Sequence, residues 1–189
     1  MLVRPQERRV FVTATRASGF TLIELMIAVA IAATLLLLAA PNFATWNADA
    51  QIRAAAESIV SGMRYAQAEA VRRNEPIEFV LAPTTGTGGW TVRRQNTDQL
   101  QVGVFAEGAV LAAFTTAPVA TVTTTFNSLG GVNPTNLDTT LPIRVVDVTF
   151  SASITNARNL TVLVGGGRTG IKVCDPAVSD TTSPRFCTT

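Results

Sequence analysis

A chain of 189 residues with no histidine and only two cysteines lacks the usual tools of catalysis. Ser-His and Cys-His nucleophilic sites and the commonest zinc ligand are excluded at once, so neither metal nor cofactor is expected. The net charge of +2 is unevenly placed: residues 1–19 carry +3 (Arg4, Arg8, Arg9, Arg16 and Glu7) and residues 20–189 carry −1, so the body of the chain is no polycation built for nucleic acid.

After the basic leader comes an apolar run from Phe20 to Ala40, which raises the mean hydropathy to +0.30. About 21 residues of helix rise roughly 31 Å, enough to cross a hydrocarbon core. One charge interrupts the run, Glu24. A carboxylate at that depth costs roughly 2.5–3.5 kcal/mol on insertion scales and so needs a reason.

Three readings compete for this segment. A cleaved secretory signal would end in a small-x-small site, but Leu38-Ala39-Ala40-Pro41 is a poor one. A plain anchor fits the length and leaves Glu24 and the Gly19-Phe20 junction unexplained. Cleavage after Gly19, on the side where the arginines hold the leader, retains the helix. It also sets a new amino terminus one helical turn from Glu24. Within a subunit that acid sits at the positive end of the helix dipole. Between subunits, a buried amine–carboxylate pair penalises any register that leaves either charge alone.

Pro41 removes a backbone donor and is expected to kink the helix. Beyond it Ile52, Ala56, Ile59, Met63, Ala66 and Ala70 recur at spacings of four and three, one apolar stripe. The stripe is too short to be better read as a coiled-coil seam. One long helix is predicted from about Phe20 to Asn74, with Asn74 and Pro76 as its stop.

The remainder is strand-like. Short runs rich in Val, Thr, Ile and Phe are Pro76–Leu81, Trp90–Gln95, Val102–Phe105, Val110–Phe114, Val119–Phe126, Ile143–Phe150, Asn159–Val164 and Thr169–Cys174. The expected fold class is α+β: a long amino-terminal helix, transmembrane in its first half and kinked near Pro41, packed on an antiparallel β-sandwich or sheet head. In an exported protein Cys174 and Cys187 read as a disulfide closing a short loop, the alternative being a pair of free thiols. Closing a loop of that size contributes about 3 kcal/mol in the chain-entropy account.

Ser18-Gly19-Phe20-Thr21-Leu22-Ile23-Glu24-Leu25 resembles the class III signal of type IV pilins and of the pseudopilins of type II secretion. The resemblance implies cleavage by a prepilin peptidase after Gly19, N-methylation of Phe20, and pairing of Glu24 with the terminal amine of a neighbouring subunit. Pro41 falls where those helices carry their kinking proline. Ala54–Ile59 and Ala66–Asn74 are similar to the helix of the GspH/FimT group. Gly166-Gly167-Arg168, Ile171–Pro176 and Pro184-Arg185-Phe186-Cys187 resemble its tail, a turn leading to a terminal strand and a cysteine-closed loop, although Thr169-Gly170 intervene here.

The organisation that follows is a cleaved leader at 1–19, a membrane and filament-core segment at 20–40, an amphipathic continuation at 41–74 and a β-rich periplasmic head at 75–189. The resemblance implies a single-pass protein of the bacterial inner membrane, incorporated into a pilus or pseudopilus. It would be a minor pilin that primes assembly or forms the tip of a type IV pilus. The alternative is an H-type minor pseudopilin of type II secretion. Partners would be the prepilin peptidase, other minor pilins and the major pilin, or pseudopilins.

A further alternative is DNA capture in natural transformation through Arg158, Arg168, Lys172 and Arg185, with salt-dependent phosphate contacts. Asp175 and Asp180 dilute that cluster, and solvated surface charge is the plainer account. No enzyme is expected. Glu78 and Asp147 are single acids on strands, and Gly165–Lys172 lacks the spacing and the Lys-Ser/Thr ending of a phosphate loop.

Overall fold

The computed structural model describes residues 19–82, 88–94, 98–105, 108–151, 157–165 and 170–187. The chain divides into two compact units, Met1–Ala40 and Pro41–Thr189. One helix, α1, runs Leu22–Arg73. The Thr21 hydroxyl accepts the Glu24 N–H at 3.3 Å, and the Leu25 N–H donates to the Thr21 carbonyl at 3.1 Å. Thr21 is therefore an N-cap that satisfies one of the helix's orphan donors.

At the other end Asn74 takes a left-handed φ of 55°. Glu75 N–H reaches back to the Ala70 carbonyl and Asn74 N–H to that of Val71, both at 3.3 Å. This is the Schellman arrangement, with Asn in the place glycine usually fills. Arg72 and Arg73 in the last turn complement the dipole. The helical assignment continues through Pro41, where the missing N–H leaves the Leu37 carbonyl without its helical partner.

The two units place α1 in different surroundings. In the first, every residue of Leu22–Ala40 is exposed, and the stretch is long and apolar enough to cross a membrane. The hydroxyl of Thr34 within it donates to the Ile31 carbonyl at 2.8 Å, so it carries no unmet donor into an apolar phase. In the second unit, the six stripe residues Ile52, Ala56, Ile59, Met63, Ala66 and Ala70 are all fully buried. Ala48, Ala55 and Val60 join them.

Eight strands follow among the described residues: β1 Ile77–Ala82, β2 Gly89–Arg94, β3 Asp98–Val104, β4 Ala112–Ala117, β5 Thr123–Phe126, β6 Val145–Phe150, β7 Leu160–Val164 and β8 Ile171–Cys174. They form two four-stranded sheets in the orders β3-β2-β1-β5 and β4-β6-β7-β8. All six pairings are antiparallel. Residues 143–144 tie the sheets together. Ile143 N–H donates to Thr123, Arg144 N–H donates to Ala117, and the Arg144 carbonyl accepts from Val164.

Each of the eight strands overlaps one of the predicted runs, and the differences lie at the ends. The run expected over Val119–Phe126 is a turn until Thr123: Ala120 has φ 65°, and Thr121 bonds the Pro118 carbonyl through both its N–H and its hydroxyl. β4 starts two residues later than expected, after the turn closed by Ala112 N–H on the Ala109 carbonyl, and ends just before Pro118. β3 starts four residues earlier, at Asp98, paired with Arg94.

Trp90 locks helix to sheet. Its ring lies against Phe79, with centroids 5.9 Å apart, and its indole N–H donates to Ser58 Oγ at 2.9 Å. Two glycines make room for it. A Cβ on Gly62 of α1 would come to 2.6 Å from the indole, and one on Gly103 of β3 to 2.3 Å. A second lock is polar. The Asn136 side chain accepts from the N–H and hydroxyl of Thr125, and its two amide N–H groups are shared among the Thr123 carbonyl, the Thr140 hydroxyl and the Leu141 carbonyl, at 2.9–3.1 Å. It fastens the long β5–β6 connection over β5, whose four residues are all buried.

Two stability outcomes are expected. Gly62→Ala improves intrinsic helix propensity by roughly 1 kcal/mol, yet it forces a methyl into a rigid, hydrogen-bonded ring. Overpacking of about 1–3 kcal/mol should win and lower the denaturation midpoint of the full chain in detergent; a raised midpoint would refute the wedge. Asn136→Ala strands buried donors and acceptors on β5 and the connection, and should cost about 2–3 kcal/mol in the same titration.

Candidate functional site

The residues singled out in the sequence fall into two groups. At the amino end Gly19 and Phe20 precede α1, and Phe20 is 85% exposed. Glu24 lies in the first turn, exposed, and its carboxylate takes no hydrogen bond or ion pair among the described residues. Sequence reasoning missed Thr21. The spacing Thr21-x-x-Glu24 is that of a capping box, and its threonine half is formed. A chemical consequence follows. The Glu24 backbone is held by Thr21, while its carboxylate plays no part in the cap among the described residues. The leader arginines lie outside the described residues.

At the carboxy end Cys174 and Cys187 are bonded, with S–S 2.03 Å. Local bonds shape the loop they close. Asp175 N–H donates to the Arg185 carbonyl at 2.9 Å, and the Asp175 carboxylate accepts from Ala177 N–H at 3.0 Å. The Thr182 hydroxyl and backbone N–H both donate to Asp180 and hold its carboxyl below the usual range. Lys172 donates to the Phe186 carbonyl at 2.9 Å, joining β8 to the loop's far end.

Two of the proposed basic contacts line one cleft of about 380 Å³, Arg158 and Arg185; they share it with Arg53, Asp49, Glu57 and Asp175. Arg158 is held at both ends. Its N–H donates to Asp49 of α1 at 2.7 Å, and its guanidinium pairs with the buried Asp175 at 3.3 Å. Three acids thus face three arginines, an arrangement poorly suited to a phosphate backbone. Lys172 is engaged by the loop, and Arg168 lies outside the described residues. Arg53 was not foreseen. It stands 105 residues from Arg158 in sequence, and only the fold brings α1 to the tail.

The remaining charged groups are structural. Glu78 on β1 is buried and pairs with Arg93 on β2 at 2.8 Å. Asp147 on β6 accepts the Thr161 hydroxyl at 2.6 Å. These two acids belong to different sheets, each with its own partner, and do not form a catalytic pair. Gly165 and Gly170, with φ 69° and 62°, close the β7–β8 hairpin through the Gly165 N–H on the Gly170 carbonyl; residues 166–169 lie outside the described residues. Among the described residues no cluster of three acidic or thiol side chains is placed to hold a metal.

An exposed apolar helix that opens on a Gly-Phe junction and a lone acid, then carries a two-sheet head, defines a pilin-like subunit. The Prokaryotic N-terminal methylation motif matches over residues 15–40. Residues 55–167, more than half of the chain, match the family described as Type II transport protein GspH, and the chain belongs to that family. It is therefore a type IV pilin-like protein of the minor pilin and pseudopilin kind, from a family of structural subunits that assemble with other pilins. Two crystal forms of the type IV minor pilin FimU of Pseudomonas aeruginosa are similar to it. The first is 18% identical with a TM-score of 0.46, covering 66% of this chain and 87% of FimU. The second is 18% identical with a TM-score of 0.45, covering 64% and 90%. No curated protein sequence matches the chain.

Glu69 gives the head a pH dependence. Side-chain hydrogen bonds from Arg72 and then Arg73, at 2.6–3.0 Å, hold its carboxyl at about 2, below the ordinary 4.5. A depressed folded-state value means the stabilisation is complete above the unfolded value near 4.5 and is lost as pH falls through about 2. In thermal unfolding against pH, Glu69→Gln should melt below the native chain at neutral pH, with the gap closing on acidification. A gap independent of pH would refute the assignment.

Proposed function

We propose that this chain is a minor pilin of a type IV pilus that helps to prime the filament or form its tip. A prepilin peptidase removes residues 1–19, Phe20 becomes the methylated amino terminus, and α1 holds the subunit in the bacterial inner membrane as a single pass with its head in the periplasm. On assembly α1 leaves the bilayer for the filament core, where Glu24 meets the terminal amine of a neighbour. Pro41 supplies the bend between the filament-core segment and the head-packed half of the helix. Other minor pilins and the major pilin are its partners. The observation that carries this reading is Glu24 itself: an exposed carboxylate in an apolar helix, its backbone capped and its oxygens without a partner among the described residues. A carboxylate needing an amine in a dry interface favours one register of addition and penalises the others.

A second reading, an H-type minor pseudopilin of type II secretion, is supported by the description of the matching family. The two share the same physics and differ in the machine they enter. Deletion of the gene separates them. Loss of surface pili with normal exoprotein secretion is expected, whereas normal pili with blocked secretion would transfer the chain to the secretion apparatus. Glu24→Ala should reproduce the deletion phenotype while the processed protein still accumulates in the membrane fraction. Wild-type piliation by that variant would sink the role given to the carboxylate.

A further inference from the structure

The second unit opens with a short exposed stretch of α1, ahead of the residues that the helix buries against the head. Leu22–Ala40 is the apolar span, and Ala48 is the first residue of α1 buried against the head. In between, Phe43 and Trp46 are each 66% exposed, and their rings meet at 5.8 Å. A spacing of three residues sets both on one side of the helix. From Leu25 to Ala48 the chain carries no charge, and Asp49 is the first. The aromatic pair thus sits where an uncharged helix turns polar, flanked by Asn42 and Asn47.

We infer that Phe43 and Trp46 are an interfacial anchor that takes the headgroup–acyl boundary of the outer face of the bilayer as its partner and so fixes the depth of α1 before assembly. The inference rests on the reading that Leu22–Ala40 crosses a membrane. Tryptophan suits that boundary because its apolar body and N–H donor are satisfied on opposite sides of it. Register agrees. The apolar span Leu22–Ala40 has 19 residues, which rise roughly 28 Å, close to the ~30 Å of a hydrocarbon core, so the chain leaves that core within the next turns, the ones that hold Phe43 and Trp46. A span that is complete at Ala40 begins at Leu22, so Glu24 lies near the inner boundary, within reach of water and of an incoming amine. The anchor therefore spares Glu24 the centre of the bilayer, where a charge is costliest. A neighbouring filament subunit is the competing occupant, but it cannot serve while the subunit waits alone in the membrane.

The test uses the full chain with Trp90→Phe, which leaves Trp46 as its one tryptophan, in phosphatidylcholine vesicles containing lipids brominated at shallow or deep acyl positions. Shallow bromines should quench Trp46 at least twofold more than deep ones, and aqueous acrylamide should quench it several-fold less than free tryptophan. Full acrylamide quenching with none from either lipid, in a chain that resists carbonate extraction, overturns the anchor and leaves the span standing. Extraction by carbonate overturns both. Protection of Trp46 that arises only when other filament subunits are added assigns the pair to a protein contact and also overturns the anchor. Because Trp90 packs between two glycines, its replacement is backed by a second measurement. The difference in quenching between the native chain and Trp46→Phe reports the same residue without disturbing the wedge.

Discussion

One helix must satisfy two solvents, and the rest of the structure follows from how it does so. In its first unit, beyond Glu24 in the first turn, α1 is apolar on every side, as a segment facing hydrocarbon must be when no aqueous face exists. In its second it is amphipathic, and the buried side is made largely of small residues: Ala48, Ala55, Ala56, Ala66 and Ala70, with Gly62 beneath the Trp90 ring. Small side chains bury little area each. What they gain is closeness, which lets Trp90, Phe79 and the larger residues Ile52, Ile59 and Met63 fill the space between helix and sheets. The head has no other α-helix among the described residues, so its core depends on that stripe.

Polar groups in the head are closed within the head. Glu78 has Arg93, Glu69 has Arg72 and Arg73, Asp175 has Arg158, and Asn136 bonds three backbone or hydroxyl partners besides Thr125. Among the described residues no buried side-chain nitrogen or oxygen lacks a partner. The free edge of β5, a strand of three threonines and a phenylalanine, is covered by its own following connection through Thr123, Thr125 and the Phe126–Val132 bridge. The head's charged cleft is better understood as the seam where α1, the start of β7 and the disulfide loop are clipped together by Arg158.

How far this was legible in the sequence depends on the range of the interaction. The helix end at Asn74, the stripe and the eight strand runs could be read because each is set by local propensity or by a period within one element. The strand ends were harder. Where Val119 looked like strand, Pro118 and the left-handed Ala120 had already turned the chain. Asn136 was not legible as a keystone, because asparagine in a turn-rich stretch looks the same whether it faces water or holds five bonds. The tail was half legible: Cys174 and Cys187 could be paired by proximity, while the clip from Asp49 to Arg158 spans 109 residues and leaves no local trace. Thr21 was legible and overlooked, since the Thr-x-x-Glu spacing was read only for its acid.

That oversight sharpens the meaning of the acid. A glutamate at the third position of a capped helix has a local use, and in a soluble protein the capping box would account for it. Here the box is half built. The threonine hydroxyl holds the Glu24 N–H, and the carboxylate stays outside the local network. The helix start is thus capped without the acid's oxygens, and under the proposed function they would pass from interfacial water in the waiting subunit to an amine in the assembled one without the first turn unravelling. Under the proposed function, separating the cap from the charge lets the acid select register while contributing little to the fold that carries it.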